Sequence, residues 1–389
     1  MAQLQEVAIS PPPGVVKSDS MRVIEGRWAD TDNVRFVKHK PQKIGGWTQQ
    51  YPGTTWGTPR TLHAWRDNLF APYMGIGTYI KLYVADSNGY IYDATPFRDS
   101  GVLTNPISTT AGSLVVQITD TSHGLSVGDI IYIYNQTNPI GGVLIEAWNT
   151  QVNSIIDNNN YTFLNANGQV PTSTVSNTGG TVNYIYEVPV GVELGTYGYG
   201  YGVGYYGLDA WDTPRTVSTI RIEPRIWSID HFGSLLLASY NGGSIYKFDA
   251  TLTLPWSHRA TLISADPGLP TNVRAMFITP ERFVMALCDN MQVAWPSQGT
   301  INDWTPSISN TANIRTLTEG TKLVGGKVLA DFVSLIWTDA AVYRFQYTGA
   351  TYIYASSMIA KDCGLVSPNA AVTIGGVAYW MGQDNFWTY

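Results

Sequence analysis

Apolar residues in this chain alternate with polar ones, or run in blocks of four to seven closed by Gly, Asn, Asp or Pro, and helical spacing is scarce. That is the pattern of strands joined by tight turns, and it predicts an all-β protein. Five stretches share one plan of apolar strand, polar turn and aromatic strand: Lys81–Ala94, Leu235–Ala250, Phe283–Ser297, Val333–Tyr347 and Val377–Tyr389. Asn88-Gly89 and Asn241-Gly242 supply the positive φ angles that two-residue hairpin turns demand. Each hairpin is preceded by another apolar segment, namely Thr61–Trp65, Arg225–Ile229, Ala275–Ile278, Lys327–Ala330 and Ala371–Ile374, so a unit holds at least three strands. From Tyr246 to Trp295, Tyr343 and Trp387 the steps are 49, 48 and 44 residues, inside the roughly 40 to 50 of propeller blades. The expected architecture is a β-propeller.

A second echo locates an insertion. Thr58-Pro59-Arg60-Thr61 returns as Thr213-Pro214-Arg215-Thr216, too far along for one blade. Between them Thr104–Val188 is rich in Ser, Thr and Asn and carries its own strand signals at Leu114–Ile118, Ile130–Tyr134, Tyr161–Leu164 and Val182–Tyr186. It reads as a small inserted β-barrel or sandwich. The chain then divides into 1–103, an N-terminal segment with the first blade; 104–188, the module; and 189–389, a linker with the remaining blades. The linker Gly195–Gly207 is almost entirely Gly and Tyr; a flexible spacer is one reading, ordered packing of the tyrosines the favoured one. Asn385–Tyr389 looks like mid-blade. Either the sequence is a fragment, or Val34–Lys38 and Pro41–Trp47 complete that sheet and cover its edge.

Composition narrows the function. Charged residues are 13% of the chain, about half the roughly 25% usual in soluble proteins, beside 24 Tyr and 13 Trp. So little charge with so many aromatics means either a poorly soluble monomer or a surface covered by partners, and the second is the favoured reading. The net charge of −6 argues against sequence-independent DNA binding by the whole surface, while allowing DNA to pass without sticking. The charge is uneven: Lys17, Arg22, Arg27, Arg35, Lys38, Lys40 and Lys43 outnumber four acids between Lys17 and Lys43, leaving −9 on the rest. These seven are either candidate contacts to an acidic neighbour or to DNA, or a solvated strand face. Met1–Gly14 has no basic stretch leading into an apolar one, and no run of 18 apolar residues occurs, so neither secretion nor membrane spanning is expected.

Chemistry-bearing motifs are missing. Cys288 and Cys363 form no CxxC, and His39, His63, His123, His231 and His258 stand apart without metal-ligand spacing. There is no GxSxG elbow and no Walker A loop. Asp157-Asn158-Asn159-Asn160 lacks the Gly and terminal Glu of a calcium loop and reads as a turn. Asp230, Asp339 and Asp384 sit near turns of three repeats and would need to converge at one propeller mouth to act as a glycosidase pair; turn chemistry is the favoured account. No catalysis, metal or cofactor is expected.

The opening Ile9-Ser10-Pro11-Pro12-Pro13-Gly14, with Glu25–Phe36 (EGRWADTDNVRF) and Lys43-Ile44-Gly45-Gly46-Trp47, resembles the start of tail hub or nozzle proteins of short-tailed bacteriophages, the podovirus tail tube and packaged-DNA stabilisation family. His123–Asp129 (HGLSVGD) is similar to a small β-module of phage structural proteins, and the Tyr/Gly linker fits such chains. The resemblance implies a virion subunit assembled in the host cytoplasm as a ring, six-fold in symmetry. That ring would extend the portal-adaptor channel, anchor fibres or spikes and conduct DNA at ejection without reading its sequence. The module would project towards fibres, a neighbouring subunit or the outside of the tail. The alternative is a receptor- or glycan-binding tail protein, with Trp56, Tyr197, Tyr199 and Tyr201 as its aromatic surface.

Overall fold

The computed structural model describes residues 12–17, 27–46, 48–49, 53–165, 171–197, 221–252, 256–349 and 353–389. The chain forms two compact units, Met1–Pro52 and Gly53–Tyr389. In the first, Val34–Val37 and Lys40–Lys43 pair as a hairpin across Lys38 and His39, both at positive φ, and Trp28 packs on Phe36. Among the described residues these two strands pair only with each other.

The second unit is a propeller of five consecutive antiparallel meanders. Blade 1 is Pro59–Arg66, Pro72–Thr78, Leu82–Asp86 and Ile91–Asp93; blade 2 is Trp227–Phe232, Leu235–Tyr240, Ile245–Asp249 and Thr261–Leu262. Blade 3 is Val273–Ile278, Val284–Cys288, Gln292–Trp295 and Asn313–Thr316; blade 4 is Leu323–Ala330, Val333–Thr338, Ala341–Tyr347 and Tyr354–Lys361. Blade 5 has three strands, Ala371–Ile374, Val377–Met381 and Phe386–Thr388. First strands of successive blades touch one another, so they form the inner wall. Tyr246, Trp295, Tyr343 and Trp387 all fall in third strands, which is why their spacing measures the repeat.

Each seam from blade 1 to blade 5 holds its own apolar core. Trp65, Leu82, Trp227 and Leu236 fill the first; Leu237, Val284 and Trp304 the second; Phe277, Met285 and Phe345 the third; Leu335, Trp337 and Trp380 the fourth. Blade 1 departs from the predicted alignment, because Lys81–Ala94 is its third and fourth strands rather than its second and third. The second strand, Pro72–Thr78, hides behind two glycines that carry no hydrophobic signal. Those glycines are needed: a Cβ on Gly77 would lie 2.7 Å from the Trp227 Cβ, and one on Gly75 3.1 Å from Ile229 Cγ2. Blade 2 packs directly on bare backbone there.

The inserted module is an eight-stranded antiparallel sheet curled round one core that includes Ile107, Ile133, Tyr161, Phe163 and Tyr186. It begins at Phe97, seven residues before the boundary read from the sequence, because Phe97–Thr104 pairs with Thr181–Glu187 and belongs to the sheet. Ala147–Asp157, a long and mostly polar strand, is a further member that the hydrophobic pattern did not mark. The HGLSVGD turn closes on itself: His123 Nδ1 accepts from the Leu125 N–H at 2.9 Å, and Asp129 Oδ2 from the Ser126 N–H at 2.8 Å. Asp157 likewise accepts from Asn159 N and Asn160 Nδ2, an ordinary Asx turn.

Candidate functional site

Among the described residues of the second unit, chemically active side chains gather at three places. The first lies where the inner strands of blades 2 to 4 begin. A cavity of about 200 Å³ there is lined by Glu223, Asn241, Arg274, Lys322, Val324 and Pro368 among others. Glu223 accepts from Lys322 Nζ at 2.5 Å and from Arg274 Nη1 at 3.2 Å, while Arg274 Nε donates to Asp289 at 2.6 Å. These half-buried pairs tie the segment before blade 2 to blades 3 and 4.

The second lies towards the opposite end of the inner strands, between blades 1 and 2. His63 Nε2 and His231 Nδ1 are 3.0 Å apart, and Asp230 Oδ1 is 3.7 Å from the former and 3.5 Å from the latter. Asp230 Oδ2 accepts from the Ile278 N–H of blade 3 at 2.9 Å, and the His231 N–H caps Oδ1 at 2.8 Å. Burial pushes His63 below the ordinary imidazole range; Asp230 opposes this, while His231 and Lys327 of blade 4 add to it. Asp230 is pushed up by burial, but hydrogen bonds from His231 and the Ile278 amide hold it lower than usual. Sequence spacing hid this group because its two histidines lie 168 residues apart; only the repeat alignment, which matches first strand to first strand, carries a trace of it.

The third is the junction of module and propeller. Lys81, 1% exposed, donates to Asp93 Oδ2 at 2.6 Å and to Glu187 Oε1 at 2.9 Å. Arg259 pairs with Asp93, donates to Tyr132 Oη at 2.9 Å, and lies over the rings of Phe97 and Tyr132. Tyr132 Oη donates to Glu187 Oε1 at 2.9 Å, and Glu187 Oε2 is buried without a partner among the described residues. Burial pushes the Glu187 carboxyl up to about 7, with the Asp93 charge adding to it against Lys81 and Arg259. Burial raises Asp93 too, but there the same two cations win and hold it below the usual carboxylate range. Beside this network Tyr134, Trp148 and Trp256 form an aromatic corner. The two indoles are half exposed, 5.1 Å apart and nearly perpendicular, and Trp148 Nε1 donates to Glu146 at 3.3 Å.

The residues singled out from sequence are placed as follows. Arg22, Tyr199 and Tyr201 lie outside the described residues, as does the second Thr-Pro-Arg-Thr, and of Tyr197 only the backbone is described, paired through Thr196–Tyr197 with Arg221–Ile222. Lys17, Arg27, Arg35, Lys38, Lys40 and Lys43 are all exposed; Lys17 pairs with Asp30 at 2.8 Å and Arg35 donates to Gln42 at 3.2 Å. Trp56 spends one face on Lys81, whose Nζ is 5.8 Å from its ring. Asp230, Asp339 and Asp384 do not converge. Asp339 and Asp384 line one recess between blades 4 and 5, whereas Asp230 is at the other end of the strands. Asp339 holds the amides of Thr321 and Lys322, which is turn chemistry. Cys288 and Cys363 are buried free thiols, and burial pushes Cys288 up to about 12.

No family model matches this chain, and no curated protein matches it. Among solved structures it is similar to the Dos1 propeller (9% identity, 86% of this chain and 78% of that one, TM-score 0.31). It is also similar to BamB from Moraxella catarrhalis (14% identity, 83% and 82%, TM-score 0.30) and to the phage phi92 endosialidase (14% identity, 88% and 55%, TM-score 0.26). The chain thus spans about half the length of the endosialidase. Likenesses this distant carry no argument about activity; the five meanders and their seams establish the propeller on their own.

Proposed function

We propose that this chain is a structural, non-catalytic subunit of a short bacteriophage tail, assembled as a ring that continues the portal-adaptor channel, anchors fibres and conducts DNA. The observation that carries the reading is the outer face of blade 5. Strand pairing puts Val372, Ile374, Tyr379, Met381 and Phe386 on one side of that sheet, away from the core shared with blade 4, and all five are 44–83% exposed. An apolar face of that extent is normally covered by a neighbour, and here a second copy of the chain is the occupant. Among the described residues blade 1 is tied to the loop before blade 5, where Asn369 Nδ2 donates to Arg60 O at 3.2 Å. The exposed basic hairpin at Arg35, Lys38, Lys40 and Lys43 supplies a separate docking edge for an acidic partner.

Light scattering on the purified chain, with electron microscopy of the particles, tests the proposal. A ring with an axial opening wide enough for duplex DNA, lost in Ile374→Asp/Phe386→Asp, is expected. A monomer at every concentration overturns the ring, and a ring indifferent to both substitutions overturns the role of blade 5. The receptor- or glycan-binding alternative is favoured by one feature, the corner of Tyr134, Trp148 and Trp256 with Glu146 beside it, since half-exposed rings next to a carboxylate suit a sugar's apolar face and hydroxyls. A glycan array read with wild type and Trp148→Ala/Trp256→Ala decides that point.

A further inference from the structure

We infer that His63, Asp230 and His231 form a binding site for one Zn²⁺ ion, a staple across the inner strands of blades 1 and 2. Zinc bound tetrahedrally through imidazole nitrogen and carboxylate oxygen sits about 2.0–2.1 Å from each ligand, which sets the ligand atoms about 3.3 Å apart. The three atoms here are separated by 3.0, 3.5 and 3.7 Å. A point equidistant from them lies about 2.0 Å from each, so the ion enters with shifts of a few tenths of an ångström.

The surroundings have the form of a supported site. The carboxylate is aimed by its second oxygen, which holds the Ile278 amide of blade 3 at 2.9 Å, and such outer contacts orient metal ligands. The His63 ring stacks against Trp65, with centroids 6.3 Å apart, and Trp65 is buried in the seam between blades 1 and 2. His231 is the open side, its side chain 43% exposed, which gives the ion a path in and leaves its fourth position to water. Two imidazoles and one carboxylate suit zinc, whereas calcium and magnesium take oxygen ligands. The ion would replace the direct contact between the two rings and join strands contributed by residues 168 positions apart. Lys327 of blade 4 is the opposing charge in the vicinity, and its replacement by Met should tighten binding.

The test is a Zn²⁺ titration of the chelator-treated full chain by calorimetry, with X-ray absorption on the zinc-loaded wild type. One ion per chain is expected, with a nitrogen and oxygen shell that includes two imidazoles. His63→Gln or His231→Gln should weaken affinity about tenfold or more, and His258→Gln, whose ring instead contacts the Asp249 carbonyl, should not. Absence of stoichiometric uptake by wild type, a sulfur ligand in the absorption spectrum, or unchanged affinity in His63→Gln/His231→Gln would each overturn the site. The spectrum is read on wild type, so it decides the matter even where a variant folds poorly.

Discussion

The seams between blades and the junction between module and propeller hold the same second unit together by opposite means. At the seam of blades 1 and 2, Trp65, Leu82, Trp227 and Leu236 are buried against one another, and the Trp227 indole donates to the Thr78 carbonyl at 2.9 Å. At the junction, Ile80, Ile130, Tyr132 and Ile185 form a small apolar patch around Lys81, Asp93, Glu187 and Arg259. Apolar contact is non-directional and accepts any blade of the right shape, which is how one plan repeats five times. A buried charge network tolerates only one arrangement, because each misplaced ion would face its full desolvation cost. The repeat is therefore assembled by bulk hydrophobicity, whereas the single inserted module meets the propeller through a buried charge network.

The largest expected effects distinguish the two by how they recover. Trp227→Ala should cost about 3–5 kcal/mol through the cavity it leaves, read as a lower urea midpoint, and enlarging a neighbouring side chain should restore little of it. Lys81→Met should cost a similar amount, about 3–5 kcal/mol, because Asp93 and Glu187 would be left with Arg259 alone. Lys81→Met/Glu187→Leu should then return most of that loss, since the remaining Asp93–Arg259 pair is balanced. A double variant no more stable than Lys81→Met would show that the network contributes net stability rather than orientation.

A pH series sharpens the contrast at a somewhat smaller scale. The Glu187 carboxyl is raised from 4.5 to about 7 on folding, so between those values the folded chain holds a proton that the unfolded chain has released. Stability contributed by this group is thus fully present below about 4.5 and is lost as pH rises towards 7, on the order of 3 kcal/mol. Asp93, held low, acts in the other direction, and its contribution is lost only as pH falls below 3.8. Chemical denaturation at pH 5, 6, 7 and 8 should show Glu187→Gln gaining on wild type up to pH 7 and running parallel to it above. Parallel curves throughout would mean that Glu187 is ionised in the fold and fully paired.

How much of this could be read in advance follows from the same contrast. The hairpins of blades 2 to 4 were legible because each buries an apolar strand against an aromatic one, with Tyr246, Trp295 and Tyr343 at equivalent places, whereas in blade 5 the aromatic strand Phe386–Thr388 is exposed and only its pattern showed. Blade 1 was misaligned because Gly75 and Gly77 remove the hydrophobic signal just where blade 2 presses closest. The module's strand Ala147–Asp157 was missed because half its faces are wet. The candidate sites were the least legible. Lys81 and Glu187 are 106 residues apart, and His63 and His231 still farther; nothing in local spacing reports that a fold will join them. The echo Thr78 and Thr338, whose hydroxyls each hold the turn into the next strand by accepting two amides, would have aligned blade 1 with blade 4.

The smallest expected effect lies at the rim of the junction, where aromatic contact replaces buried charge. Trp148 belongs to the module and Trp256 to blade 2's outer loop, and their rings meet edge to face at 5.1 Å while both remain about half exposed. Exposed rings give up less water on contact than buried ones, so each single Ala substitution should cost little, about 1 kcal/mol. The pair should still be coupled, because a perpendicular aromatic contact is worth about 0.5–1.5 kcal/mol beyond its area. A double-mutant cycle on Trp148→Ala and Trp256→Ala, read by urea denaturation, isolates that term. Coupling inside this range makes the corner a third fastener of the module. Coupling near zero would leave the buried ions as what holds the module on, and the two indoles as surface kept free for something else.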